Sequence, residues 1–331
     1  MNSLERSDLP IIILGLGRSG STLLCELLNA HSRIYISDES WLFYRAALDL
    51  IDAGRDWAPG LLDSALESVA EAPAFLKGAD QMRPRLRSGS LVGEVPFESD
   101  PGAIKSAWSA WLGTIYSDLA AKHGAARYGD KCPGASPFAM LIDHLLDRRC
   151  LYVWTVRHPI DLALSWMERW RDPRVLIDVL GRVHDVSRFN GTEHDAVRVI
   201  MQAYLSHVSY LRLLMENCPG RVMICRYEVL AGSPEESLSE VHSFLNETLE
   251  PKQIERAFTD RRRVSGGDPK FNHSHGIHGR SVDRWRLLNA DSLAVYLEAA
   301  CEFSILDCMR FLGYSEAAGE LARAMRFAKA C

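Results

Sequence analysis

The chain has 331 residues, 47% of them hydrophobic and 24% charged, with a formal net charge of -5. This composition suits a globular protein and excludes a disordered, collagen-like or coiled-coil chain. No run approaches the roughly 18 apolar residues of a membrane span, and an acidic balance, with a pI near 6.1, argues against a nucleic-acid or anionic-membrane surface. Met1 to Pro10 is polar without an apolar leader core, and the eight cysteines contain no CxxC pair. The expectation is a cytoplasmic protein with reduced thiols.

Pro10-Ile11-Ile12-Ile13-Leu14 is a β-branched apolar run ending at Gly15, the pattern of a parallel strand buried on both faces. From Ser21 to Ala30, Leu23, Leu24, Leu27 and Leu28 share one helical face. Arg33 to Ile36 reads as a second short strand. Residues 41–126 are mostly helical in pattern, interrupted at Pro59-Gly60, Pro84 and Pro96, and a strand returns over 127–130. Cys150 to Val156 is a further buried strand, followed by a helix from about Asp161 and a second helical insertion over 171–215. Arg221 to Cys225 is the last strand. The helix after it is marked by Ser233 as N-cap, Pro234 at the first position and Glu236 closing a capping box. Residues 261–280 read as an Arg-, Gly- and His-rich loop, and 281–331 as helical. Alternating strands and helices predict an α/β fold with a central parallel sheet and helices on both faces. No Pro/Gly/Ser linker divides the chain, so one domain over 1–331 is expected.

Gly15-Leu16-Gly17-Arg18-Ser19-Gly20 lies between a strand and a helix and satisfies GxGxxG, with Asp38 about 20 residues on, as a dinucleotide fingerprint requires. The same residues satisfy half of a Walker A loop, Gly15-x4-Gly20, but Ser21 stands in place of its lysine. Both readings aim backbone N–H groups and a helix N-terminus at an anion. Arg18 and Ser19 add donors beyond what a diphosphate held by backbone needs. The strand ending at Val156 runs into Arg157 where a metal-binding acid would be expected, so metal-free chemistry is predicted.

Arg157-His158-Pro159 continues to Ser165, setting an arginine at a strand end and a serine one to two turns into the next helix. Ligands of open α/β sheets sit at those carboxyl ends. Alone, such a pair reads as a salt bridge and a helix cap. Beside a first anion site, it predicts a ligand phosphorylated twice, such as adenosine 3′,5′-bisphosphate.

With these motifs the chain resembles the sulfotransferases that use 3′-phosphoadenylyl sulfate (PAPS), in particular their bacterial and tyrosylprotein branch. The resemblance rests on Gly17-Arg18-Ser19-Gly20-Ser21-Thr22-Leu23-Leu24, on Val156-Arg157-His158-Pro159 through Ser165, on Arg226-Tyr227-Glu228-Val229-Leu230 with Ser233-Pro234-Glu235, and on Arg284-Trp285-Arg286. It implies a P-loop-like three-layer fold whose insertions at 41–126 and 171–215 form the acceptor side. It also implies a 5′-phosphosulfate loop of Gly17, Arg18, Ser19, Gly20, Ser21 and Thr22, and a 3′-phosphate pair of Arg157 and Ser165. Tyr227 and Arg284 match residues near the nucleotide, with Arg280 competing for the latter place. Glu39 matches the catalytic base, with Asp38 as the alternative, and Lys131 in Asp130-Lys131-Cys132-Pro133 matches the catalytic lysine. Gly17 departs from the proline common before the loop arginine, and the late serine is either Ser274 or Ser281.

The implied reaction is in-line transfer of a sulfuryl group to a hydroxyl of a small molecule, lipid or natural product. Arg18, Lys131 and the loop amides would stabilise charge on the leaving oxygen, and Glu39 would take the acceptor's proton. The competing function is an NAD(P)-dependent oxidoreductase, which leaves Lys131, Arg157 and Ser165 without roles. A catalytically idle nucleotide-binding module would leave Glu39 and Lys131 without theirs. His273, His275 and His278 have no Cys or acid at zinc spacing, so no metal is expected. Trp108, Trp111, Trp166 and Trp170 sit at helical spacing and read as core, with one or two free to line an acceptor pocket.

Overall fold

The structure, a computed structural model, describes residues 6–39, Phe43, 101–181, 186–259 and 279–330. Five strands, β1 (Ile11–Gly15), β2 (Ile34–Asp38), β3 (Arg127–Lys131), β4 (Leu151–Val156) and β5 (Val222–Arg226), form a parallel sheet ordered β2-β3-β1-β4-β5. Each expected strand is present with its ends moved by a residue or two. The helices in chain order are α1 (Ser21–Leu28), α2 (Pro101–Lys122), α3 (Ala139–Leu145), α4 (Pro159–Arg169), α5 (Pro173–Leu180), α6 (Glu193–Asn217), α7 (Tyr227–Gly232), α8 (Pro234–Leu245), α9 (Pro251–Phe258), α10 (Ala290–Glu302), α11 (Ile305–Phe311) and α12 (Ser315–Ala330). The described part of the first insertion is thus Phe43, α2 and the short link from α2 to β3, and the proline breaks at 59, 84 and 96 lie outside the described residues. The second insertion holds α5 and α6. The stretch from Ser281 on begins with two 3₁₀ turns, Gly279–Ser281 and Arg284–Leu287, before its helices.

The described residues belong to two compact units. The described residues within Met1–Trp57, Val95–Val156 and Leu214–Gly279 make the unit that contains the sheet; those within Arg157–Leu213 and Arg280–Cys331 make a helical one. In the sheet unit β1 and β4 are buried along their whole length, as strands covered on both faces must be. Ile11, Ile13, Leu151 and Val153 pack against Leu23, Leu24, Leu27 and Leu28 of α1 and Leu238, Val241 and Leu245 of α8. On the opposite face the Tyr152 hydroxyl reaches Asp143 of α3 at 3.3 Å. β2 is an edge strand, and Asn29, just after α1, occupies that edge. Its amide donates to the Ile36 carbonyl at 2.9 Å, and its carbonyl accepts from the Ile36 N–H at 2.6 Å.

One expectation is corrected. Pro234 does open α8, but Ser233 makes no side-chain cap, so the box with Glu236 does not form. The reason is that α7 ends one residue earlier: the Ser233 N–H donates to the Val229 carbonyl, and the residue sits at φ -136, ψ 69. Closing one helix leaves Ser233 outside the usual N-cap geometry for the next.

Candidate active site

The turn from β1 into α1 is shaped by contacts that only glycine allows. Gly15 has φ 134, and a Cβ there would lie 2.3 Å from the Thr155 carbonyl oxygen. Its N–H donates to Ser136 Oγ at 2.9 Å, and that hydroxyl donates back to the Gly15 carbonyl at 3.0 Å. The Thr155 hydroxyl donates to the Leu14 carbonyl at 3.1 Å, and Ser19 Oγ meets Thr155 Oγ1 at 2.7 Å. Ser19 is buried, and its N–H donates to the Leu16 carbonyl. This serine therefore shapes the turn with both its hydroxyl and its amide. Gly20 caps α1 in the left-handed region, φ 94, with the Tyr227 ring so close that a Cβ would meet it at 2.5 Å. The first N–H groups of a helix have no intrahelical partner, and no acidic side chain stands in the first turn of α1. That end attracts anions. Arg18, at φ 73, and Thr22 are half-buried beside it, and Ser21 is buried.

Lys131 ends β3, the strand next to β1, with its Cα in register with both Ile13 and Asp38. Its side chain is only 2% exposed, and its ammonium lies 2.5 Å from Asp38 Oδ1 and 2.7 Å from Glu39 Oε1; those acidic side chains are 32% and 43% exposed. Burial pulls the lysine pKa down, but the charges of Glu39 and Asp38 outweigh it and the net shift is upward. Glu39 sits in the left-handed region, φ 56, and its N–H donates to the Lys131 carbonyl at 2.8 Å. A buried cation and two accessible carboxylates thus share one strand edge. Such a set can stabilise an anion and accept a proton.

The helical unit holds the remaining candidates. Arg157 is buried; its Nη2 donates to the Ser281 carbonyl at 2.6 Å, and its own carbonyl accepts from the Tyr204 hydroxyl at 3.0 Å. Ser165 is buried on α4. Asp161 on the same helix accepts from the Trp285 N–H at 2.9 Å, and the His158 ring stacks on Trp285 with centroids 5.1 Å apart. Arg284 is held by Glu168, while Arg280 is exposed. Trp166 and Trp170 stack at 4.5 Å. Ser274, the arginines 261–263 and His273, His275 and His278 lie outside the described residues, as do the side chains of Trp108 and Trp111. Among the described residues no cluster could hold a metal ion, and no helix is long and apolar enough to cross a membrane.

The profile described as "Sulfotransferase family" matches residues 10–251, a span that includes all five strands. The chain belongs to the sulfotransferase family. It is similar to nodulation protein NoeE of Sinorhizobium fredii (strain NBRC 101917 / NGR234), 25% identical over 299 residues, an alignment covering 86% of this chain and 62% of that protein. The chain therefore spans less than two thirds of that relative's length. Two solved structures share the fold. One is the sulfotransferase domain from the curacin biosynthetic pathway, with TM-score 0.52 and 21% identity over 90% of this chain and 98% of that one. The other is the sulfotransferase domain from the Synechococcus PCC 7002 olefin synthase, with TM-score 0.52 and 19% identity over 90% and 96%.

The strand order of this sulfotransferase-family chain also counts against the dinucleotide reading. In the dinucleotide fold the second strand lies beside the first, so that its terminal acid reaches the ribose. Here β3 intervenes, and Asp38 at the end of β2 is bound to Lys131. Sequence reasoning missed Ser136, Thr155 and Asp161. Ser136 follows a proline after the lysine strand and Asp161 lies inside the Arg157–Ser165 motif, but nothing local to either names its partner.

His158 yields a testable pH dependence. Burial, then the Arg286 and Arg157 guanidiniums, push its pKa down to about 3. Below its ordinary pKa near 6.5 the unfolded chain binds a proton that the folded chain refuses, so stability falls as pH drops from about 6.5 towards 3. His242, pushed down to about 4 mainly by burial, acts with the same sign. Urea unfolding at pH 7.5 and 5.5 should show His158 contributing roughly 1 kcal/mol to the loss. A His158→Phe variant, which keeps a ring against Trp285, should lose that much less on acidification.

Proposed function

We propose that this chain transfers a sulfuryl group from PAPS to a hydroxyl of a small-molecule, lipid or natural-product acceptor, as a single domain over residues 1–331. The observation that carries the reading is the buried Lys131 ammonium 2.7 Å from Glu39, on the strand beside the one that feeds the glycine turn. The donor set fits a phosphosulfate: a helix N-terminus with no acidic side chain in its first turn, the Ser21 and Thr22 hydroxyls, the Arg18 guanidinium and a second fixed cation. PAPS would supply an activated sulfuryl group. Arg18, Lys131 and the loop amides other than that of Ser19 would hold its phosphosulfate and favour charge growing on the leaving oxygen, while Ser19 keeps the turn in shape. Glu39 would accept the acceptor's proton. Arg157 and Ser165 would bind the 3′-phosphate, with Tyr227 and Arg284 near the nucleotide, which contributes positioning energy remote from the reaction.

The test is thermal unfolding with adenosine 3′,5′-bisphosphate, NAD and NADP in parallel. The bisphosphate at a hundred times its Kd should stabilise the protein by about 2.7 kcal/mol, and NAD and NADP should leave it unchanged. Stabilisation by NAD or NADP alone would overturn the proposal.

A further inference from the structure

We infer that Asp38 is a positioning residue that keeps the Lys131 ammonium in place while Glu39 takes up the acceptor's proton. The inference rests on the sulfotransferase reading above and deepens it. Lys131 is almost completely buried, so water cannot replace a lost carboxylate, and a buried ammonium needs a charged partner. Yet the proposed role of Glu39 requires it to become neutral. As the acceptor oxygen forms its bond to sulfur and the bond from sulfur to the 5′-phosphate oxygen breaks, the acceptor's O–H proton passes to Glu39. At that moment Glu39 stops being a counter-ion.

The geometry divides the work between the two acids. Asp38 is the last residue of β2, in register with Lys131 and 2.5 Å from its Nζ. Glu39 lies one residue beyond the strand with its N–H tied to the Lys131 carbonyl, and its side chain is the more exposed of the two. Two carboxylates and one ammonium carry a net charge of -1, and one proton on Glu39 leaves a neutral Asp38–Lys131 pair. The other titratable groups near Lys131 fit this scheme. Cys132 is buried and its thiol is pushed well up, chiefly by burial, and Asp130 accepts from the Tyr116 hydroxyl at 2.8 Å.

Asp38→Asn in the full chain should lower kcat roughly 10- to 100-fold with KM for PAPS unchanged. The alkaline limb of its kcat profile should move to lower pH, because Lys131 loses a supporting charge; Asp38→Glu should restore part of both. An unchanged kcat, or a lower kcat with the alkaline limb in place, would mean a merely structural aspartate and overturn the inference. NMR titration of the ¹⁵N-labelled lysine ammonium of Lys131 needs no donor. Its midpoint should fall in Asp38→Asn, and an unmoved midpoint overturns the inference whatever the donor proves to be. Failure of adenosine 3′,5′-bisphosphate to bind the parent chain strikes the sulfotransferase reading itself, and the two failures are thereby told apart.

Discussion

Glu39→Gln should reduce kcat for sulfuryl transfer by about 10²- to 10⁴-fold while adenosine 3′,5′-bisphosphate binds as before. The amide is nearly isosteric and still offers an oxygen to Lys131, so the 2.7 Å contact can persist as a hydrogen bond from the ammonium to a neutral acceptor. What disappears is the ability to accept a proton. Asp38, already 2.5 Å from the same ammonium, keeps Lys131 compensated, so the variant should fold normally. Single-turnover kinetics with labelled PAPS, read beside bisphosphate binding, decide the matter. Retained turnover would move the base elsewhere, and loss of nucleotide binding would make Glu39 a binding residue.

Gly15→Ala should be the most damaging single-methyl change at the site, destabilising the fold by roughly 3 kcal/mol or more. The added Cβ would lie 2.3 Å from the Thr155 carbonyl and 2.7 Å from its hydroxyl, at φ 134, a backbone conformation that alanine resists. Relief requires β1 and β4 to part just where Thr155 holds Ser19 and the Leu14 carbonyl, so the turn itself should distort and bisphosphate affinity should fall with stability. Gly113→Ala is the natural control. Gly113 lies within α2, and a methyl group there would meet nothing within 4 Å, so alanine should stabilise by roughly 0.5–1 kcal/mol. Urea unfolding of the two variants should therefore move in opposite directions.

β1 and β4 were legible because a strand buried on both faces must be apolar throughout, and Ile11 to Leu14 and Leu151 to Val156 are nearly so. The loop, Lys131 and Arg157 stand out in the sequence as ordered motifs, since the proposed anion chemistry restricts the residue types allowed. What could not be read was who holds whom. Ser136 and Thr155 shape the glycine turn from 121 and 141 residues away. The polar strand β3 hides its charges only through distant partners: Arg127 donates to the Leu9 and Leu245 carbonyls at 2.7 and 2.8 Å, and Asp130 accepts from Tyr116. Ser19, proposed as a ligand donor, also bonds within the protein to Thr155 and Leu16, and Ser233 has the composition of a cap but closes the preceding helix. In each case a long-range contact or a neighbouring helix end overrode the local preference.

Neighbours along β3 point to opposite faces, so Asp130 serves the Tyr116 hydroxyl while Lys131 serves Asp38 and Glu39. Inserting one residue just ahead of this strand would bring Asp130 to the place of Lys131, an anion towards two other anions, and deleting one would bring Lys131 to the place of Asp130, a cation towards a phenol. The spacing between α2 and β3 is consequently as much a part of the proposed chemistry as the lysine itself.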